Sequence, residues 1–168
     1  TVKVKQPNTP DSQARTVTLV RDIIRQEESG VQYRVIDMPY DGSIKKVGVI
    51  EIPSFYLNFK ARREGIDASQ YRSVSHDTQK ALQALTDQGI DGLVVDLRNN
   101  PGGSLDEVAK MLAMFIKEGP LVQIRDNRGN VQVFEDTDGG HQFYDGKLSV
   151  LINLGSASAS EIFAAAIQ

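Results

Sequence analysis

Twice along this chain an apolar run of strand length feeds a turn of small residues and then the start of a helix. The first unit is GLVVDLRNNPGGSLDE, residues 92–107, and the second is LSVLINLGSASASEIFAAA, residues 148–166. The run Gly92-Leu93-Val94-Val95-Asp96-Leu97 lacks polar alternation, as expected of a strand covered on both faces. Val108, Met111, Leu112 and Phe115 then recur at helical spacing. Strands and helices alternating in one core point to an α/β fold.

The remaining segments fit around these units. Thr1-Val2-Lys3-Val4-Lys5 and Thr16-Val17-Thr18-Leu19-Val20 alternate apolar and polar residues on either side of a proline-containing loop, which predicts a β-hairpin with no domain of its own. Residues 31–38 and 46–52 predict a second pair of strands, joined through Pro39-Tyr40-Asp41-Gly42. Residues 56–71 read as polar and irregular. From Ser75 the period becomes helical, with Ala81, Leu82, Ala84 and Leu85 on one face and Gly89 as the stop. Residues 121–125 and 131–134 flank the turn Asp126-Asn127-Arg128-Gly129, and 136–146 read as a loop. Residues 148–154 are a further apolar strand, and a helix opens at Ser156. No repeat or low-complexity tract interrupts this order.

With 168 residues the chain suffices for one domain, or one domain with part of another. Hydrophobic residues at 40% and charged residues at 24% fit a globular chain. The most apolar stretches, 93–97 and 108–116, fall short of the roughly 18 residues that a membrane helix needs. Net charge is −3, and the densest basic group is Lys60, Arg62 and Arg63, which argues against nucleic acid as a partner. The absence of cysteine removes thiol catalysis, zinc–thiolate sites and disulfides together. His76 and His141 are the only histidines, too few for a histidine-based metal site. No basic-then-apolar leader precedes the first strand, and a chain opening at Thr1 is expected to have lost its native start.

Both strand–turn–helix units are candidate sites. A helix N-terminus offers unpaired N–H groups and partial positive charge, and Gly102-Gly103 lets backbone approach a ligand closely. Acyl transfer needs such donors where negative charge develops on a carbonyl oxygen. The same spacing has a purely structural reading. Ser158 with Glu161, and Ser104 with Glu107, each match a capping box, and a glycine pair after a strand often makes only a turn. Residue spacing leaves both readings open.

The segments Asp96-Leu-Arg-Asn-Asn-Pro-Gly-Gly-Ser-Leu and Ser156-Ala-Ser-Ala-Ser-Glu-Ile-Phe-Ala-Ala-Ala resemble the active-site motifs of the tail-specific, C-terminal processing serine proteases. Val47-Gly-Val-Ile-Glu-Ile-Pro-Ser-Phe-Tyr resembles the strand that opens that family's core, and residues 16–24 resemble the last strand and exit of its PDZ domain. The resemblance spans nearly the whole chain. It implies a partial crotonase- or Clp-protease-like catalytic core over 41–168, preceded by PDZ strands at 1–25 and a connector strand at 26–40.

The resemblance also implies roles. Ser158 falls on the nucleophile, and the backbone N–H groups of Gly103 and Ala159 fall on the oxyanion hole, with Arg98, Asn100 and Gly102 in support. Ser156 and Ser160 are expected to pack or cap. The family's general base is a lysine that lies downstream, past Gln168, so this segment alone is expected to be inactive. Lys147 and Lys110 are expected to be solvated, as are His76 and His141. A triad through His141, or calcium at Asp136 and Asp138, finds no support in the spacing. No cofactor and no metal is implied. The implied partners are protein or peptide substrates bound through their C-termini, together with an adaptor protein, and the implied compartment is the periplasm. A partial core is also expected to self-associate through open strand edges. Two other classes compete: a catalytically dead scaffold, in which Ser158 never acylates, and a crotonase-type acyl-thioester enzyme, which would not need Ser158.

Overall fold

Strand pairing in this protein departs from the order of strands in its sequence. The computed structural model describes residues 1–7, 9–10, 13–18, 30–67, 70–135 and 142–168. Strands β1 (Val2–Val4) and β2 (Arg15–Val17) pair antiparallel as a separate two-stranded sheet, with Val2 opposite Val17. Leu19 and Val20, expected to continue this hairpin, lie outside the described residues, as do Asp136, Asp138 and His141.

Strands β3 (Gln32–Tyr40) and β4 (Ser43–Glu51) are antiparallel and run longer than their alternation suggested. The cause is the connection. Asp41 and Gly42 take φ of 47° and 71°, the paired positive angles of a type I′ turn, so Tyr40 can pair directly with Ser43. Strand β5 (Gly92–Asp96) adds parallel to β4, and β8 (Leu148–Leu151) adds parallel to β5, giving the order β3-β4-β5-β8. The two strands between them in sequence, β6 (Pro120–Arg125) and β7 (Val131–Glu135), form a hairpin of their own. The last sheet strand stops at Leu151 rather than Leu154, because the chain turns there towards its final helix.

Among the described residues four helices accompany the strands: α1 (Phe59–Arg63), α2 (Val74–Asp87), α3 (Leu105–Ala113) and α4 (Ala159–Ile167). The first lies in a region expected to be irregular. It is one short turn of helix, closed by Asn58 Oδ1 accepting the Ala61 N–H at 3.0 Å, and only Ala61 is buried. The core joins Ile50 and Val95 of the sheet, and Leu97 just after β5, to Leu82 and Leu85 of α2, Val108, Met111 and Leu112 of α3, and Phe163 of α4. Phe115 meets the Phe163 ring edge-on, centroids 5.7 Å apart. On β5 the apolar side chains Leu93 and Val95 are buried, as is Asp96 at the strand end, while Val94 is half-buried. That differs from the two-sided burial its apolar run suggested. Side chains alternate along a strand, and the helical residues of the core cluster gather with Leu93 and Val95.

One helix is capped by another. Ser104 accepts the Glu107 N–H at 3.4 Å, as a cap of α3 should, but the reciprocal half of the expected capping box is missing. Glu107 is fully buried and turns to α2 instead. It accepts the Ser75 N–H at 3.1 Å and the Ser75 hydroxyl at 2.6 Å, while Lys110 Nζ donates to its other oxygen at 3.0 Å. Replacing Glu107 by leucine would leave the buried Ser75 N–H unpaired and the Ser75 hydroxyl with only its Ser73 neighbour at 3.2 Å. The expected loss is about 2–4 kcal/mol, read as a lower urea midpoint at unchanged denaturant slope.

Candidate active site

The segment after β8 turns sharply before it becomes α4, and neighbouring loops lace that turn in place. Ser156 Oγ donates to the Leu97 carbonyl at 2.8 Å and accepts the Asn153 N–H at 3.0 Å. Asn153 Oδ1 accepts the N–H groups of Asn99 and Gly155, and its amide donates to Asn99 Oδ1 at 3.0 Å. The end of β5 and the approach to α4 are thereby joined.

At the apex Ser158 has φ 53° and ψ −115°, a left-handed conformation for a residue with a Cβ. Such a conformation costs on the order of 1–3 kcal/mol and persists only where its surroundings impose it. Ser158 is exposed, whereas Ala159 and Ser160 behind it are buried. The Ser158–Glu161 pair has the layout of a capping box. Glu161 accepts the Ser158 N–H at 2.7 Å, while the Ser158 side chain stands exposed at the N-terminus of α4.

The glycine loop lies against this elbow. A Cβ on Gly102 would come 2.7 Å from Ser158 Cβ, 2.8 Å from the Ala157 carbonyl oxygen and 3.0 Å from Ala159 N. A Cβ on Gly103 would come 2.3 Å from the Phe55 carbonyl oxygen. Phe55 flanks the loop as a short parallel bridge: its N–H donates to the Gly102 carbonyl at 2.9 Å, and its carbonyl accepts the Ser104 N–H at 2.8 Å. No local pattern in the sequence marked Phe55 as the wall behind the glycines.

Asn100, fully buried, joins the pieces. Its Nδ2 donates to the Ile52 carbonyl at 2.9 Å, and its Oδ1 accepts the Gly102 N–H at 2.8 Å. Its carbonyl accepts the Ala157 N–H at 3.1 Å and the Ser160 hydroxyl at 2.9 Å. With Asn100 spending these groups, two backbone donors are left over. Among the described residues, neither the Gly103 N–H nor the Ala159 N–H donates to a protein acceptor. They lie just before α3 and at the first turn of α4, where helix dipoles favour an anion. An exposed hydroxyl beside two unspent N–H donors can take part in acyl transfer.

Residues 46–168 match the model of Peptidase family S41. The chain belongs to peptidase family S41. Its relatives include a tail-specific protease of Haemophilus influenzae, 41% identical over 155 residues, which covers 92% of this chain and 19% of that protein. A chloroplastic carboxyl-terminal-processing peptidase 2 of Arabidopsis thaliana is 32% identical, with 93% of this chain and 27% of that protein covered. Among solved structures, a photosystem II D1 C-terminal processing protease superposes with a TM-score of 0.65 at 27% identity, covering 93% of this chain and 37% of that one. The chain thus spans well under half the length of these S41 relatives.

Not every residue expected at the site gathers there. Arg98 turns to its own strand end, forming a bidentate pair with Asp96, and lines a polar cavity of about 530 Å³ with Glu51, Asn99 and Asn153. Lys110 is held by Glu107, and Lys147 precedes β8 at the end of the strand remote from the elbow. His76 lies in the first turn of α2, where its N–H meets the Ser73 cap. Among the described residues no group of three or more His, Cys, Asp or Glu could hold a metal ion.

The Asp96–Arg98 pair makes a pH prediction. Hydrogen bonds from Arg98 hold the Asp96 carboxyl below its ordinary value, against the opposing effect of burial. A lowered folded value means that the pair's stabilisation is complete above the unfolded value of about 3.9, and is lost as pH falls through the folded value. Urea titrations from about pH 6 down to pH 2 should show the wild type losing stability more steeply at the acid end than Asp96→Asn.

Proposed function

We propose that the complete protein is a serine endopeptidase that cleaves proteins near their C-termini, with Ser158 as its nucleophile. The contact of Gly102 with Ser158 and Ala159 carries this reading, because it sets an exposed hydroxyl beside two unspent N–H donors. Ser158 Oγ attacks the scissile carbonyl carbon as a base removes its proton. The oxyanion that forms accepts hydrogen bonds from the Gly103 and Ala159 N–H groups. Collapse expels the amine, which takes the proton, and water then hydrolyses the acyl-enzyme by the same route in reverse.

The base is a lysine supplied from beyond Gln168, its pKa lowered by burial. Lys110, paired with Glu107, and Lys147, at the start of β8, do not take the role in this reading. This segment by itself is therefore inactive in our reading. Residues 1–25, with the β1–β2 hairpin, are the end of a PDZ domain that holds the substrate's C-terminal residues as an added strand. Residues 26–40 connect that domain to a crotonase- or Clp-like core from residue 41 onward. An adaptor protein, a periplasmic location and self-association through the open β8 edge complete the proposal. The names of the Haemophilus and Arabidopsis relatives support the substrate class, and the latter's chloroplast address makes cell fractionation the test of location.

A serine-reactive fluorophosphonate tests the assignment. The complete protein should label, with the adduct mapped to Ser158 by peptide mass, while its Ser158→Ala form and the isolated segment should stay unlabelled. Silence of the complete protein, beside an authentic serine hydrolase that labels, would leave the scaffold reading in front. Binding of a coenzyme A ester by that silent protein would favour the crotonase-type reading instead.

A further inference from the structure

The third serine of the SASAS run, Ser160, has no part in the chemistry just described, yet it is completely buried. A buried hydroxyl keeps its place only if it is hydrogen-bonded, and a small apolar residue would fill the same space without that requirement. Its single hydrogen bond donates to the Asn100 carbonyl at 2.9 Å. That carbonyl is already shared with the Ala157 N–H at 3.1 Å, so both of its lone-pair positions are turned to the α4 side. Asn100 meanwhile fixes Gly102 through its Oδ1 and the end of β4 through its Nδ2.

These bonds bracket the two unspent donors. The Gly103 N–H follows the residue whose N–H Asn100 holds, and the Ala159 N–H lies between Ala157 and Ser160, both bound to the Asn100 carbonyl. We infer that Ser160 is a positioning residue of the oxyanion hole, one that sets the separation of the Gly103 and Ala159 donors through Asn100. The inference rests on the serine protease reading and deepens it. Without the Ser160 hydroxyl, α4 keeps a single tie to that carbonyl, through Ala157, and Ala159 gains freedom to drift from Gly103. Donor placement matters on this scale, because a hydrogen bond to an oxyanion weakens steeply as its distance and angle depart from ideal.

The test compares ligands that do and do not place an oxyanion in the hole. In the complete protein, a substrate-like peptide aldehyde, which forms a tetrahedral adduct with the serine, is measured beside the matching peptide alcohol, which cannot. Ser160→Ala should weaken the aldehyde by about 10–100-fold, less than the 100–1,000-fold cost of removing a donor outright, and lower kcat alike. The alcohol's affinity and KM should stay within about 3-fold. If Ser160→Ala does not fold, Ser160→Cys carries the same comparison, since a thiol is only a weak donor. Equal loss of aldehyde and alcohol binding means that Ser160 is merely structural, and unchanged aldehyde affinity means that it does not tune the hole. Either result overturns the inference while the protease reading stands. A wild-type protein that forms no aldehyde adduct at Ser158 overturns both.

Discussion

Replacing Ser158 by alanine in the complete protein is expected to lower peptide hydrolysis by about 10,000-fold or more, with substrate KM nearly unchanged. Loss of a nucleophile removes the covalent route, and what remains is the modest acceleration that binding and oxyanion donors supply to attack by water. The substitution also relieves nothing in the backbone. Alanine keeps a Cβ at φ 53°, so the strain at the elbow persists and stability should move by less than about 1 kcal/mol. A steady-state assay on a C-terminally tagged substrate, with thermal unfolding in parallel, reads both quantities. An active Ser158→Ala protein would remove the nucleophile assignment altogether.

The second large effect is at Gly103. Alanine there would bring a methyl within 2.3 Å of the Phe55 carbonyl oxygen, a backbone atom that cannot swing aside, at a φ of 148° that suits only glycine. Crowding and backbone strain together predict a loss of about 3–5 kcal/mol in unfolding free energy. Hydrolysis should fall by about 100-fold or more in whatever fraction folds, because the Gly103 N–H must move with the loop. Gly42→Ala is the informative comparison. It has φ 71° but open space around its Cβ, so only the conformational penalty of about 1 kcal/mol remains. If chemical denaturation gave equal losses at the two glycines, close approach of Phe55 would not be what requires Gly103.

Much of the site could be read from residue order, because its parts are local. A glycine pair after a strand, a serine run before a helix and the helical spacing beyond each declare themselves within a few residues. Asn100 could be named as a support, but its three tertiary hydrogen-bond partners could not, since Ile52, Ala157 and Ser160 are 48 or more positions away along the chain. The Ser104–Glu107 pair is the clearest case of local pattern misleading. Spacing promised a capping box, and burial sent the Glu107 carboxylate to Ser75 on another helix instead. Arg98 shows the converse, a residue carried by the motif whose hydrogen bonds hold Asp96 rather than the Ser158 elbow.

The sequence by itself determined the elements: an α/β alternation, strands where apolar runs are continuous, helices where the period becomes 3.6, and turns where glycine permits them. It also offered two candidate sites, one serine run and one glycine loop, each leading into a helix. Tertiary structure alone decided that β8, rather than β6 or β7, pairs with β5, which brings Ser158 and Ala159 against Gly102. It alone decided that Ser158 adopts a positive φ and that the Gly103 and Ala159 donors stay unspent. The physical reason is range. Periodicity, capping and turn preference act over a few residues, whereas strand partnership is chosen by which pairing buries Ile50, Val95, Leu97 and Phe163 together while satisfying the backbone of both loops.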